Sequence, residues 1–297
     1  MRVIVTGGCG FIGKSFVHLL AKQGIDYRII DKMTYAGSMK DLPKKYDLLV
    51  KDICDVTATH IVNFAAESHV DNSIIDGSPF VKTNVMGTFN LLELARKNPN
   101  FIKFIQISTD EVYGDLGNVN VSNPSRETDN LNPSSYYSST KASADLLVQS
   151  AHRTYGLPYI ITRTCNNFGE RQNKEKFLPK LIHNIKNNIP VPIYGDGKQV
   201  REWVWVEDNV QCIFELLKRG ITGIYNIGTG DRLANIDILH FIEQETGIKI
   251  QKQFVEDRLG HDRLYALNSF KYAFDVSKYK GDFTTKFLKD YLKEQLK

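Results

Sequence analysis

Two short stretches carry side chains that could move protons. In Ser108-Thr109-Asp110-Glu111-Val112-Tyr113-Gly114, a hydroxyl and two carboxylates follow the apolar run Phe101-Ile102-Lys103-Phe104-Ile105-Gln106-Ile107. That run reads as a buried strand ending where polar chemistry begins. In Tyr137-Ser138-Ser139-Thr140-Lys141, a phenol and an ammonium open a helical pattern that continues through Ala144, Leu147, Val148 and Ala151. One helical turn brings both side chains to the same face. An ammonium there favours the phenolate, bringing a group of ordinary pKa ~10 towards the range in which it can take a proton from an alcohol, as hydride abstraction requires. Each stretch alone also has a structural reading, a polar turn capped by Asp110 or a surface Tyr–Lys pair. The rest of the chain decides between the readings.

The start of the chain supplies the setting. Arg2-Val3-Ile4-Val5-Thr6 is a short apolar strand, followed by Gly7-Gly8-Cys9-Gly10-Phe11-Ile12-Gly13 and a helical pattern through Phe16, Val17, Leu19 and Leu20. Glycines in such a turn let the backbone approach a pyrophosphate, whose charge the helix N-terminus stabilises. Tyr27-Arg28-Ile29-Ile30 reads as a second strand, and Asp31 ends it at the spacing of an acid that binds an adenosine ribose. A carboxylate there repels a 2′-phosphate, so the cofactor expected is NAD, bound through Gly7, Gly10, Phe11, Ile12, Gly13 and Asp31. In an open parallel sheet, ligands lie outside the carboxyl ends of the strands, which is where Thr109, Asp110 and Glu111 would stand.

Residues 47–51 read as a third strand and 60–65 as a fourth, with only eight residues, 52–59, between them. A parallel crossover normally needs a dozen or more, so a bare connection with no helix beyond about one turn is expected. Ala65-Ala66-Glu67-Ser68-His69-Val70-Asp71 is a further polar cluster at a strand end, in which His69 reads as a structural hydrogen-bonding residue. Residues 80–96 read as a helix with Val81, Val85, Phe89 and Leu92 on one face and Asn84 and Thr88 on the other.

The 297 residues are 42% hydrophobic and carry a formal charge of +4. No apolar run approaches the roughly 18 residues of a membrane span, and no export signal is read at the start, so a cytoplasmic protein with no membrane partner is expected. The basic residues are dispersed, which argues against nucleic acid and suits a small phosphorylated ligand. Cys9, Cys54, Cys165 and Cys212 show no metal-ligand spacing, so no metal is expected and the thiols should be reduced and inert.

With these motifs in hand, the chain resembles the extended short-chain dehydrogenase/reductase family, and within it the nucleotide-sugar 4,6-dehydratases, nearly end to end. The residues that carry the resemblance are Asp31-Lys32-Met33-Thr34-Tyr35-Ala36-Gly37, the 65–71 and 108–114 stretches, and Tyr137 to Lys141. The resemblance implies an α/β fold, a Rossmann-type doubly wound parallel sheet with a smaller C-terminal substrate-binding lobe. It places the NAD-binding domain at residues 1–165, with later segments returning to it, and the nucleotide-sugar lobe at 166–297. It implies that Thr109 binds the sugar near O4, Tyr137 is the base for C4 oxidation, Lys141 holds the nicotinamide ribose, and Asp110 and Glu111 carry out the elimination. Lys32, Thr34 and Ala65 join the cofactor set. The substrate set is Ser68, Asn167, Glu175, Lys176, Tyr194, Arg201, Asn226, Arg258 and His261, with the base against the edge 190–197 and the arginines on the diphosphate. Guanidinium groups suit that bidentate task.

The implied reaction is redox-neutral conversion of an NDP-glucose to an NDP-4-keto-6-deoxyglucose, with dTDP-glucose favoured and UDP-glucose as the other candidate, in a homodimer. Alternatives are a 4-epimerase or decarboxylase of the same family, and a catalytically silent NAD-binding protein. The sequence departs from the pattern in the short crossover, a shortened segment after Gly37, Tyr136 where proline is usual, and an early C-terminus. These bear on stability, the adenine-side wall and subunit packing. Residues 286–297 read as an amphipathic helix packing on the lobe.

Overall fold

The computed structural model describes residues 1–43, 48–49, 58–117, 123–219, 221–269 and 283–296. The strands are β1 (Arg2–Thr6), β2 (Asp26–Ile30), β3 (Leu48–Leu49), β4 (His60–Asn63), β5 (Lys103–Thr109), β6 (Tyr159–Thr164), β7 (Asn166–Phe168), β8 (Val191–Tyr194), β9 (Val200–Trp205), β10 (Gly223–Ile227), β11 (Arg232–Ala234) and β12 (Lys252–Val255). The helices are α1 (Phe11–Lys22), α2 (Val70–Ile75), α3 (Ser78–Phe80), α4 (Gly87–Lys97), α5 (Tyr136–Tyr155), α6 (Phe177–Lys186), α7 (Val206–Arg219), α8 (Asn235–Thr246) and α9 (Phe283–Leu296).

Seven strands form one parallel sheet in the order β10-β6-β5-β4-β1-β2-β3, the doubly wound Rossmann arrangement. Alternation along each strand splits the core in two. Val3, Val5, Ile105 and Ile160 pack with α1 and α7 on one side, through Phe16, Leu20, Ile213 and Phe214. Ile4, Phe104 and Ile161 pack with α4 and α5 on the other, through Leu91, Leu92 and Val148. The sheet therefore buries both faces, which is why its strands read as continuous apolar runs.

The chain after residue 165 does not stay apart from this sheet, because β10 pairs with β6 and α7 packs on the first core. Its other elements build two small sheets, β11-β9-β7 and β12-β8, around a third core of Phe168, Leu178, Trp203, Ile238 and Ile242. α9 adds Leu292 to that core, and Tyr291 donates to the Gly169 carbonyl at 3.2 Å.

Two expectations change. The strand before the acidic residues runs on through Ser108 and Thr109, because β6 offers Arg163 and Thr164 as register partners. Asp110–Tyr113 is then a single 3-10 turn. The helix at 78–97 buries the face carrying Asn84 and Thr88 and leaves Val81 and Phe89 exposed. A π-helical turn over Val81–Met86 shifts the phase of the apolar positions. The polar face is satisfied inside: Asn84 accepts from the Glu67 amide at 2.9 Å and donates to Thr140 Oγ1 at 2.9 Å. Of the expected third strand, Leu48–Leu49 pairs with β2; the short crossover falls on residues 52–57, outside the described residues.

Candidate active site

A cleft of about 510 Å³ opens at the carboxyl edge of the large sheet, a usual size for a small-molecule site. At one end, Gly7, Gly10, Phe11, Ile12 and Gly13 line it. Their close packing fits a bound dinucleotide. Gly7 sits at φ +67°, where a Cβ would lie 2.6 Å from the Ala65 amide, and a Cβ on Gly13 would lie 2.3 Å from the Gly7 carbonyl. α1 starts at Gly10 with no side-chain cap, leaving its first amides for an anionic ligand. Asp31 accepts from the amides of Cys9 and Met33 at 2.9 and 2.8 Å, which ties the end of β2 to the glycine turn. The segment after Asp31 closes over that turn, with Ser38 donating to the Cys9 carbonyl at 3.0 Å and Tyr35 to Ser38 lining the cleft. Lys32 points elsewhere, bonding Glu67 Oε1 at 3.1 Å and Thr83 Oγ1 at 2.9 Å. Thr34 contributes its carbonyl to the Gly37 amide.

At the other end, Thr109, Glu111, Tyr137 and Lys141 line the cleft together. The start of α5 fixes the last two. Ser135 and Ser138 form a capping box, each side chain accepting from the other's amide at 3.1 and 3.0 Å, which starts the helix just before Tyr137. Lys141 donates to the Ile107 carbonyl on β5. Thr109 Oγ1 accepts from the Glu111 amide at 3.3 Å and donates to Asp110 Oδ1 at 3.1 Å. Asp110 lies behind this row, and its Oδ2 is buried without a partner.

The two carboxylates have opposite surroundings. Burial raises both, but around Asp110 the charges of Glu111 and Glu202 push the same way, and its pKa stands well above the usual range. Around Glu111 the nearby charges are mainly cationic, and Arg201, Arg258 and Lys176 pull its pKa back down. Unlike surroundings of this kind can separate an acid from a base within an adjacent pair. Lys141 is brought down to about 8 by burial, opposed by Asp145. The sequence-based expectation that Lys141 would acidify Tyr137 is not met. Burial and the charge of Glu111 raise the phenol, hydrogen bonding with Thr109 lowers it, and the Lys141 amine is turned to a backbone carbonyl.

The expected substrate residues divide into four groups. Ser68, Asn167, Glu175 and Lys176 line the cleft. They also bridge it, because Lys176 donates to the Ser68 carbonyl at 2.8 Å and Tyr35 to Glu175 at 3.4 Å. Arg201 is buried, stacked on Tyr265 at 4.3 Å and bonded to the carbonyls of Val200 and Asp262. Tyr194, His261 and Arg258 sit by β8 and β12: His261 bonds Asp257 at 2.6 Å with its ring 6.2 Å from that of Tyr194, and Arg258 pairs with Asp71. Asn226 is outside the cleft lining. Its amide is committed to Tyr113, Ser125 and Asn268, so the expectation of a substrate contact is replaced by a structural role.

His69 caps α2 by accepting from the Asn72 amide, as its structural reading expected. Sequence reasoning missed Cys165 and Trp203, which also line the cleft, and the buried charges Asp145, Arg163 and Glu202. Trp203 gave no signal beyond an apolar strand. Asp145 could have been noticed, since it stands one helical turn after Lys141 among apolar positions.

The description of the NAD dependent epimerase/dehydratase family matches residues 3–228. The chain is 46% identical over 287 residues to the low-salt glycan biosynthesis protein Agl12 of Haloferax volcanii, covering 91% of each chain. It is 39% identical over 312 residues to a dTDP-glucose 4,6-dehydratase of Neisseria meningitidis, covering 93% of this chain and 87% of the relative. Its structure superposes on DesIV, the dTDP-glucose 4,6-dehydratase of Streptomyces venezuelae solved with NAD bound, with a TM-score of 0.90 and 36% identity, covering 99% and 96% of the two chains.

Proposed function

This chain belongs to the NAD-dependent epimerase/dehydratase family, and we propose that it dehydrates an NDP-glucose to an NDP-4-keto-6-deoxyglucose with no net redox change. The observation that carries this reading is the adjacent pair Asp110 and Glu111 at the end of β5, one with its pKa pushed up by burial and like charge, the other flanked by cations, beside a cleft that also presents Tyr137. An epimerization needs no such pair; loss of water needs both.

NAD, when bound, supplies the acceptor that takes hydride from C4 of the sugar and returns it to C6. The chain supplies the rest. Thr109 holds the O4 hydroxyl against Tyr137, which removes its proton. The 4-ketone acidifies the C5 hydrogen, and Glu111 takes it while Asp110 protonates the departing C6 hydroxyl; Glu111 then returns its proton to C5 as C6 gains the hydride. Gly7 to Gly13 cradle the cofactor pyrophosphate, and Asp31 binds the adenosine ribose and disfavours a 2′-phosphate. Lys176, Arg201 and Arg258 offer positive charge to the substrate diphosphate.

Among nucleotide bases we favour thymine, with uracil accepted more weakly, on the strength of the relatives. The two differ by one methyl, worth about 1 kcal/mol in an apolar pocket, so moderate cross-reactivity is expected. We further propose a homodimer and a cytoplasmic location. The packed helices from 78 to 97 and 136 to 155 expose large apolar side chains, Val81, Met86 and Phe89 on the first and Tyr136 and Leu146 on the second. Among the described residues no helix is long and apolar enough to cross a membrane.

Incubating the purified protein with dTDP-glucose and UDP-glucose and watching for a 4-keto-6-deoxy product tests the reading. A 4-epimer as the product, or no turnover of either, overturns it.

A further inference from the structure

We propose that Asp145, anchored by Arg163, is a positioning residue that holds the Lys141 ammonium charged at the carboxyl edge of β5. The proposal rests on the dehydratase reading and deepens it. Asp145 and Arg163 are 0% and 1% exposed, an unusual place for two charges. Taking a carboxylate and a guanidinium out of water costs several kcal/mol each, and even a well-made pair often only offsets that cost. Such a pair calls for a reason beyond stability.

The geometry supplies one. Arg163 Nε donates to Asp145 Oδ2 at 3.0 Å. The guanidinium is fixed in turn: Nη1 donates to the Tyr113 hydroxyl at 2.9 Å, and the group stacks 4.8 Å above the Tyr113 ring. Tyr113 donates to Asn226 Oδ1 at 2.7 Å, and Asn226 donates to the Ser125 carbonyl at 2.8 Å. This chain consumes one oxygen of Asp145. The other, Oδ1, is buried. The hydroxyl of Ser108, which lines the cleft from β5, interacts with this carboxylate and lowers its pKa.

Lys141 stands one turn before Asp145 on α5, fully enclosed, with its amine on the Ile107 carbonyl. An unaccompanied lysine in that position would tend to neutralise. Asp145 is the charge that opposes this. The other charged and titratable groups nearby act elsewhere: Arg163 of β6 is spent on Asp145, while Glu111 and Asp110 after β5 bear on Tyr137. A free aspartate one helical turn along would compete for the amine and draw it away from β5. Tethering the carboxylate to Arg163 keeps its field and prevents the capture.

The test is the pH dependence of NAD reduction in a single turnover with dTDP-glucose. The unmodified enzyme should lose rate above about 8, as Lys141 loses its proton. In Asp145→Asn that alkaline limb should move down by about one pH unit, giving roughly tenfold slower reduction above the limb. Asp145→Asn leaves a buried guanidinium unpaired, so the double variant Asp145→Asn/Arg163→Met is measured beside it and should show the same displacement. Asp145→Glu, which keeps the charge, should restore the limb. Tyr113→Phe, which loosens Arg163 but removes no charge, should lower the melting temperature and leave the limb in place. A limb that stays put in the folded double variant, or moves equally in Tyr113→Phe, overturns the proposal. If the unmodified enzyme reduces no NAD with any NDP-glucose, the dehydratase reading fails instead.

Discussion

Asp71 and Arg258, 187 residues apart in the chain, meet with Oδ1 and Nη1 3.3 Å apart. Arg258 Nε is buried and has no partner, so the guanidinium is only partly satisfied by this pair. A diphosphate offers the fuller, bidentate set of acceptors. We expect the substrate to take Arg258 over from Asp71.

Because a half-exposed ion pair contributes only about 0.2–1 kcal/mol, removing the competitor should help binding slightly. Asp71→Asn is expected to tighten dTDP binding by up to about fivefold in a calorimetric titration and to leave kcat unchanged. Weaker binding would mean that Asp71 aims Arg258 rather than competing for it.

Oxidation and elimination should separate by mutation. Asp110→Asn keeps size and polarity but cannot donate an acidic proton, so water loss should slow by roughly 10²–10⁴ while hydride transfer from C4 survives. In a single turnover this variant should accumulate NADH absorbance, whereas Tyr137→Phe should show no reduction. An Asp110→Asn enzyme that forms product at the unmodified rate would remove Asp110 from the mechanism.

The same aspartate should cost stability in a pH-dependent way. Burial raises Asp110 and Glu111 above their values in an unfolded chain, so the folded state holds protons that the unfolded state has released. Their contribution is fully present below about pH 4, where both states are protonated, and is lost as pH rises through the raised values. Asp110→Asn should therefore melt higher than the unmodified protein at neutral pH, by about 1–3 kcal/mol of unfolding free energy, with the gap closing in acid. A gap independent of pH would argue that folding does not raise the Asp110 carboxyl above its value in the unfolded chain.

Cofactor choice should follow Asp31. The unmodified protein is expected to bind NAD at least about tenfold more tightly than NADP, and Asp31→Ser to lose most of that preference. Equal titration of the two cofactors by the unmodified protein would show that Asp31 does not face the ribose.

Subunit association should depend on the exposed apolar side chains of the two packed helices. Phe89→Glu and Leu146→Glu, both at exposed positions, should shift a homodimer to monomer in analytical ultracentrifugation without lowering helix content. Dimers that survive both changes would place the interface elsewhere.

The central strands of the sheet, the glycine turn and the row of candidate site residues were legible in the sequence. Each is written in contiguous residues under local rules: apolar runs of strand length, glycines before a helix, an acid closing β2, a phenol and an amine one turn apart. Tertiary structure decided what those rules cannot reach. In the helix at 78–97, which carries a π-helical turn, packing buried Asn84 and Thr88 beside Leu92 and left Val81 and Phe89 exposed. The difference between Asp110 and Glu111, adjacent and chemically alike, comes from Glu202, Arg201, Arg258 and Lys176, charges brought up from distant segments. Arg163 on β6 and Asp145 on α5 look in sequence like ordinary surface charges, and only the packing of helix against strand puts both out of reach of water. Local propensity is set by neighbours in the chain; a side chain's acidity is set by neighbours in space.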